Sequence, residues 1–281
     1  MTTTDTFRQS LMEAGLDRVA SQLTDALEPS VSIQTAPLAD YAIPVGASKF
    51  GGQPDVPVDF EWPLWNGAPL SFLGQINLAN ITQYACTAAL PPTGLLSFFY
   101  DPEQSTWGFD PKDRGSWSVR FTSNSDLQRA TFPAGLPDHA RYTPCQLTFS
   151  DCMTPISSRS DTFRKLKLTD EEFNFYIRLI YSEDSLRHHL FGHPQEIQGE
   201  MQLECQLASN GINCGDLEGY DDTRVPMLKP GAADWRLLLQ LDSDDNAGWM
   251  WGDLGRLYFW ITNDSLQSRK FENIWMVLQC G

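Results

Sequence analysis

The C-terminal stretch over residues 235–279 constrains the fold most strongly, because it contains three apolar runs separated by two short connections. The runs cover residues 235–242, 255–261 and 273–279. The runs predict three buried strands. The first connection is an acidic loop with two tryptophans, and the second has the pattern of a short amphipathic helix.

Helix and strand patterns continue through the rest of the chain. Apolar residues at steps of three and four predict an N-terminal helix over residues 5–27. Thr169 followed by Glu172 predicts a capping box, which begins a mid-chain helix with a stripe of Phe173, Ile177 and Ile180. Further strands are predicted at residues 31–35, 69–78, 95–101, 116–121 and 145–149. Prolines at 54, 57 and 63 predict a long ordered loop, in which Gly51 and Gly52 allow positive φ or close backbone approach.

Composition excludes several classes of protein. The net charge is −16, with 36 acidic and 20 basic residues, and no cluster of Lys and Arg suits a phosphate backbone or an anionic membrane. No apolar run reaches the ~20 residues of a membrane span. The six cysteines form no CxxC pair, and the N-terminus lacks the apolar core of a signal peptide. These features predict a cytoplasmic protein with free, mostly buried thiols.

The two halves of the chain share a weak internal pattern. A Gly-x-Pro loop, a strand ending in Gln and a Gly-led aromatic strand occur in that order twice. The pattern fits either duplication, with halves at about 30–150 and 165–281, or chance similarity between apolar strands. We therefore expect a single domain over 1–281, of α+β class. Its two related halves would have mainly antiparallel sheets sharing one core, flanked by the N-terminal and mid-chain helices.

Several motifs together resemble one bacterial family. Lys49-Phe-Gly-Gly-Gln-Pro-Asp-Val-Pro, followed by Leu70-Ser-Phe-Leu-Gly-Gln-Ile-Asn-Leu, resembles the opening of the YwqG-like family. The segment Trp251-Gly-Asp-Leu-Gly-Arg-Leu-Tyr-Phe-Trp-Ile and the ending Trp275-Met-Val-Leu-Gln-Cys match it as well. The likeness covers the chain from about Ser48 to the C-terminus. It implies an α+β fold and an unassigned function, and it carries over no catalytic residue.

Two groups of residues have spacings typical of metal ligands. Asp242, Asp244 and Asn246 stand at positions one, three and five of a twelve-residue loop ending at Asp253, as in a calcium loop. Position six is not glycine, however, and an acidic turn between strands has the same composition. His189 and His193 are four residues apart, but Gly192 and Pro194 interrupt any helix there. We predict no metal site and no cofactor.

The remaining candidates are residues on predicted loops. Aromatic side chains beside acids and amides are typical of binding surfaces, although they also pin loops onto a core. The predicted ligand-binding residues are Trp249, Trp251, Asp253, Gly51, Gly52 and Gln53. The leading hypothesis is a binding module for a protein partner or a small ligand, with no nucleic-acid or membrane partner and an undetermined oligomeric state. The alternative is a hydrolase that uses Asp242, Asp244 or Asp253, with or without a divalent metal.

Overall fold

Strands dominate the computed structural model, which describes residues 3–123, 126–181 and 187–281. In chain order the strands are β1 (Glu28–Pro37), β2 (Lys49–Phe50), β3 (Asp55–Pro57), β4 (Leu64–Trp65), β5 (Ala68–Pro69), β6 (Ser71–Asn77), β7 (Leu95–Tyr100), β8 (Trp117–Thr122), β9 (Leu127–Arg129), β10 (Cys145–Thr154), β11 (His188–Leu190), β12 (Trp235–Asp242), β13 (Arg256–Thr262) and β14 (Trp275–Gln279). The runs that predicted strands all form strands, and β1 and β10 extend beyond the predicted bounds.

Ten of these strands form one antiparallel sheet in the order β14-β13-β12-β11-β1-β10-β2-β6-β7-β8. The longest pairing joins β1 and β10 at the centre, from Glu28 opposite Thr154 to Pro37 opposite Cys145. Outward from this pair, β11 to β14 follow in chain order on one side, and β2, β6, β7 and β8 follow on the other. The predicted α+β class with mainly antiparallel strands agrees with this arrangement.

The sheet curves until its two edge strands, β8 and β14, approach each other. The indole of Trp117 on β8 donates to the carbonyl of Ile274 at 2.9 Å. Its ring lies 4.9 Å from that of Trp275 on β14, edge to face. Such an aromatic pair contributes about 0.5–1.5 kcal/mol beyond the area that it buries. The contact also shields sheet edges that would otherwise expose unpaired backbone groups.

One hydrophobic cluster contains side chains from both halves of the chain. Phe98 of β7 and Phe259 of β13 belong to it, and their rings lie 5.1 Å apart. Both side chains are almost fully buried. The predicted common interior is therefore present in the described part of the chain.

The helices are α1 (Thr4–Glu13), α2 (Ala20–Asp25), α3 (Asp161–Arg164), α4 (Asp170–Ile180), α5 (Gln202–Ser209), α6 (Val225–Leu228) and α7 (Asn263–Gln267). Among the described residues, no helix combines the length and apolar character needed to cross a bilayer. The capping box at the start of α4 is confirmed, since Thr169 Oγ1 accepts from the Glu172 amide at 3.2 Å and the Thr169 amide donates to the Glu172 carboxylate at 2.8 Å.

The prediction of one helix over residues 5–27 is wrong. The chain turns at Gly15, which has φ +77°, and α2 begins after this turn. Leu11 of α1 and Leu23 of α2 then reach one cluster, which also contains Tyr176 of α4. Four residues of the apolar spacing, Leu16, Val19, Leu23 and Leu27, are buried, whereas Met12 is exposed. A glycine in the left-handed region ends a helix, which the spacing does not indicate.

A buried network of charges holds the loop between β2 and β3. Lys49 is fully buried, and its Nζ lies 2.9 Å from Asp40 Oδ1 and 3.8 Å from Asp55 Oδ1. Arg129 Nε lies 3.0 Å from the same Asp55 oxygen, and Gln75 donates to the other at 2.7 Å. Burial lowers the pKa of Lys49, although the neighbouring carboxylates oppose that shift. Each charge in the network depends on its partners, because a lone buried charge is costly.

Replacing Asp55 with Ala is expected to lower the free energy of unfolding by about 3–5 kcal/mol, because Lys49 and Arg129 lose a shared buried counter-ion. Urea denaturation followed by tryptophan fluorescence measures the change. Asp59→Ala, at an exposed position in the turn after β3, should change stability by less than about 0.5 kcal/mol. Small, equal losses in the two variants would contradict the stabilising role of the network.

Candidate functional site

Two loops occupy equivalent places on the two sides of the central strand pair. One follows β2 and contains residues 51–52 with φ of 59° and 66°; the other follows β11 and contains residues 191–192 with φ of 58° and 74°. The first residue of each pair donates its amide to a bulged residue of the next sheet strand. These acceptors are Leu73 at 2.8 Å and Leu238 at 3.2 Å.

A buried glutamine side chain clamps each loop. Gln75 of β6 accepts a hydrogen bond from the Asp55 amide at 2.9 Å. Gln240 of β12 accepts one from the Gln195 amide, also at 2.9 Å. Each glutamine also donates to a backbone carbonyl just before β2 or β11, at 2.8 and 2.9 Å. The two clamps place Asp55 and Gln195 at equivalent positions.

The two loops differ in the charge that holds them. Lys49 donates to the carbonyl of Gln53 in the first loop, whereas His189 Nε2 lies 3.1 Å from the carbonyl of His193 in the second. Burial lowers the pKa of His189 to about 3, so this imidazole is neutral near pH 7. The position equivalent to Lys49 in the second loop is therefore uncharged near pH 7. The second loop lies between two cavities.

The first cavity is a polar cleft of about 740 Å³ bordered by α1, α4 and the central strands. Hydroxyl and amide groups on its wall include those of Ser10, Ser32, Gln34, Ser150, Thr154 and Gln195. Ser32 and Ser150 stand directly opposite each other on β1 and β10. Opposed residues of an antiparallel pair project from the same face, so the two hydroxyls lie side by side.

A buried histidine–aspartate pair also borders the polar cleft. His188 Nε2 lies 3.2 Å from Asp244 Oδ2, which also accepts from Thr35 at 2.7 Å. The other oxygen of Asp244 accepts from the Asn246 amide at 2.9 Å, and His188 Nδ1 accepts from the Asp242 amide at 3.0 Å. Burial raises the pKa of Asp244, but hydrogen bonds led by that of His188 outweigh this effect and lower it to about 2. Both ring nitrogens are occupied, so the pair orders the loop after β12 and is poorly suited to acid–base chemistry.

The calcium-like spacing does not produce a ligand cluster. Asp242 Oδ2 lies 3.0 Å from Arg256 Nε, while Asp244 faces His188 and Asp253 is exposed. Each carboxylate therefore has a different environment. Within the residues that the structure describes, no group of three or more His, Cys, Asp or Glu is placed to hold a metal ion. The six cysteines are free, and five of them are buried.

Trp249 and Trp251 do not form an exposed surface, so that expectation is wrong. Their side chains are 1% and 0% exposed. The loop folds inward because Asp244 and Trp249 form an isolated β-bridge, and the Trp251 indole donates to the Asp242 carbonyl at 3.1 Å. The Trp249 ring lies 4.8 Å from that of Phe50. Burying two indoles removes a large apolar area from water, which favours this arrangement over a loop tipped with tryptophans.

The predicted residues of the first loop also serve packing. A Cβ added to Gly51 would lie 2.1 Å from the Thr143 carbonyl oxygen, and one added to Gly52 would lie 2.7 Å from Asp40 Oδ1. The Gln53 amide donates to Asp40 at 2.9 Å. Close approach therefore requires both glycines. Asp253 is separate from them and lines the second cavity.

The second cavity, of about 660 Å³, lies on the other side of the second loop. Glu196 lines it and is only 3% exposed. One carboxylate oxygen accepts from the Ser157 hydroxyl at 2.8 Å, and no ion pair involves Glu196 among the described residues. Burial raises the pKa of Glu196 to about 7. A buried carboxylate that titrates near neutrality beside a cavity is a frequent property of functional sites.

One face of α4 forms the apolar wall of this cavity. Phe173, Ile177 and Tyr181 line it, whereas Tyr176 and Ile180 are buried in the helical cluster. The predicted stripe of Phe173, Ile177 and Ile180 is divided in the structure, since Ile180 is buried, Phe173 lines the cavity and Ile177 contacts both the cluster and the cavity. Nothing in the helical periodicity distinguishes a face that meets a core from one that lines a cavity.

The model of one protein family, a domain of unknown function called DUF1963, matches residues 48–280. The chain belongs to this family. The DUF1963 region includes both glycine-bearing loops and the sheet strands from β2 to β14, and α1, α2 and β1 precede it. No curated protein matches the chain. The expectation that the chain belongs to a family of unassigned function is confirmed.

Stability should depend on the protonation of Glu196. Its folded-state pKa is raised to about 7 from an ordinary value of 4.5, so the folded state binds more protons between these values and loses stability as pH rises through that window. Glu196→Gln removes this slope. The variant should match the wild type near pH 4.5 and exceed its unfolding free energy by roughly 3 kcal/mol at pH 8.

Urea denaturation at pH 4.5, 6 and 8 measures the difference. Glu61→Gln, which removes an exposed carboxylate, should show the wild-type slope. If Glu196→Gln keeps that slope as well, the titration of Glu196 is not its cause.

Proposed function

We propose that the protein is a binding module for a small, uncharged, polar ligand held in the polar cleft. The observation that supports this most directly is the pair of hydroxyls, Ser32 and Ser150, facing a cleft of about 740 Å³ with Gln34 on the same strand face. Ligand sites typically have volumes of roughly 300–1,000 Å³ and a few polar groups that fix orientation.

The chemistry of the wall favours a ligand rich in hydroxyl or amide groups. A hydroxyl can donate and accept, and a carboxamide offers both functions at separate atoms. The carboxylate of Asp244 already accepts from His188, Thr35 and the Asn246 amide, so its oxygens are not free to hydrogen-bond a ligand. Arg187 is exposed at the rim. The wall therefore presents mainly neutral dipoles.

Hydrolysis through Asp242 or Asp244 is less well supported. Asp242 is paired with Arg256, and Asp244 is saturated with hydrogen bonds. A carboxylate that must act as a base or nucleophile needs an oxygen that can reach the substrate. Asp253 is exposed to solvent and pairs with no base or nucleophile among the described residues.

We further propose that the chain contains an internal duplication within a YwqG-like protein. The mirrored strand order, the paired bulges and the two glutamine clamps support a relation between the β2–β8 and β11–β14 portions. The free cysteines suit the reducing cytoplasm that the sequence predicts.

A double substitution tests the polar cleft. Ser32→Val with Ser150→Val replaces each hydroxyl by two methyl groups, and because β-branched residues are favoured on strands the fold should be retained. A panel of monosaccharides, polyols, nucleosides and neutral amides, each at millimolar concentration, is screened by ligand-observed NMR. We expect at least one class to bind the wild type and to lose at least tenfold in affinity for the variant.

Ser118→Val is the matched control, since Ser118 lies on β8 outside the cleft at a similar intermediate exposure. It should leave binding unchanged. Binding that survives the double substitution, or no binding by any member of the panel, would count against the polar cleft as the site.

A further inference from the structure

Comparison of the two loops identifies Glu196 as a residue that differs in charge from its equivalent. Because the glutamine clamps align Asp55 with Gln195, the next residues, Val56 and Glu196, also correspond. Val56 is 4% exposed and Glu196 is 3% exposed. Packing at this position can therefore be satisfied by an apolar side chain, and burial of a carboxylate has a cost that packing alone does not require.

The surroundings of Glu196 leave its charge without a close counter-ion. Ser157 donates one hydrogen bond to it, and Arg159 and Arg164, whose charges act to lower its pKa, form no ion pair with it. Arg256 pairs with Asp242 at 3.0 Å and donates to the Gln195 carbonyl at 3.0 Å. Arg159 is exposed, so water screens its charge.

The cavity beside Glu196 is amphipathic. Phe173, Ile177 and Leu254 supply apolar surface, and Phe173 and Leu254 are 41% and 68% exposed. Exposed aromatic and aliphatic side chains next to a buried acid suit a ligand with an apolar body and a positive charge. The net charge of −16 favours the approach of such a cation.

We propose that this second cavity binds a small organic cation with an apolar body, such as an aralkyl amine, through an ion pair with Glu196 and contact with the Phe173 and Leu254 side chains. The site is separate from the polar cleft, and it does not depend on the function proposed for that cleft. Binding of the cation requires the carboxylate form of Glu196, so it releases a proton where that group is protonated in the free protein.

Other charged and titratable groups influence this acid. Those that face Glu196 or line the cavity are Glu200, Arg159, Arg164, Tyr181, Asp253, Arg256 and Tyr258. Burial raises the pKa values of Tyr181 and Tyr258 above the ordinary value of a tyrosine, so both stay neutral between pH 6 and 8. Within that range Glu196 is therefore the group expected to control binding.

The test is calorimetric titration of the full chain with phenethylamine at pH 6, 7 and 8. Affinity should rise about tenfold from pH 6 to pH 8, because the carboxylate fraction of a group with a pKa of about 7 rises by that factor. Glu196→Gln should weaken binding at pH 8 at least tenfold and abolish the pH dependence. 2-Phenylethanol, the neutral isostere, should bind more weakly and without pH dependence.

Variants on α4 and a charge-reversed probe complete the test. Phe173→Ala should weaken binding several-fold, whereas Phe175→Ala, on the same helix but outside the cavity, should not. The Ser32→Val/Ser150→Val protein should bind phenethylamine normally, which separates this site from the polar cleft. Tighter binding of 3-phenylpropionate than of the amine, wild-type affinity in Glu196→Gln, or no measurable binding of phenethylamine would each overturn the proposal.

Discussion

The long antiparallel pairing of β1 with β10 is the interaction on which the rest of the structure depends. It is the only pairing that joins the two four-strand portions across the centre of the described sheet, through β11 on one flank and β2 on the other. Ladder hydrogen bonds over this length fix the register, and a shift of one residue would exchange the faces of every side chain. The face that carries Ser32 and Ser150 borders the polar cleft, so the same register also places the candidate ligand groups.

The two sides of this pairing use one loop geometry for different purposes. On the β2 side, Lys49, Asp40, Asp55 and Arg129 form a network of opposite charges that fixes the loop. On the β11 side, neutral His189 occupies the place of Lys49, and the loop separates two cavities. Networks of buried charges tolerate little movement because each member needs its partners. The second loop is held by its glutamine clamp and by Arg256, which donates to the Gln195 carbonyl while it pairs with Asp242.

Several residues of types that are often catalytic or ligand-binding in proteins stabilise the structure in this fold. Asp244 and His188 saturate each other and the backbone of the adjacent loop. Trp249 and Trp251 fill the interior between the strands and the first glycine-bearing loop. Glu196 is the exception, because its burial lacks an ion-pair partner among the described residues and its equivalent in the other loop is Val56. The absence of an ion pair at a buried carboxylate, more than the residue type, distinguishes a candidate site from a residue that only stabilises the fold.

The sequence by itself determined the longer strands, the antiparallel class, the capping box at Thr169 and the close approach at Gly51 and Gly52, but not the short strands β2 and β11 that flank the central pair. These features depend on local periodicity, on hydrogen bonds within one turn, or on steric limits at single residues. Only the tertiary structure decided that the loop over residues 242–253 folds inward and that α4 has a face on a cavity. It also decided that His188 meets Asp244 and that Glu196 lies buried beside a cavity without an ion pair. Those outcomes depend on contacts between distant segments, since the burial and partners of a side chain are set by the whole fold and not by its neighbours in sequence.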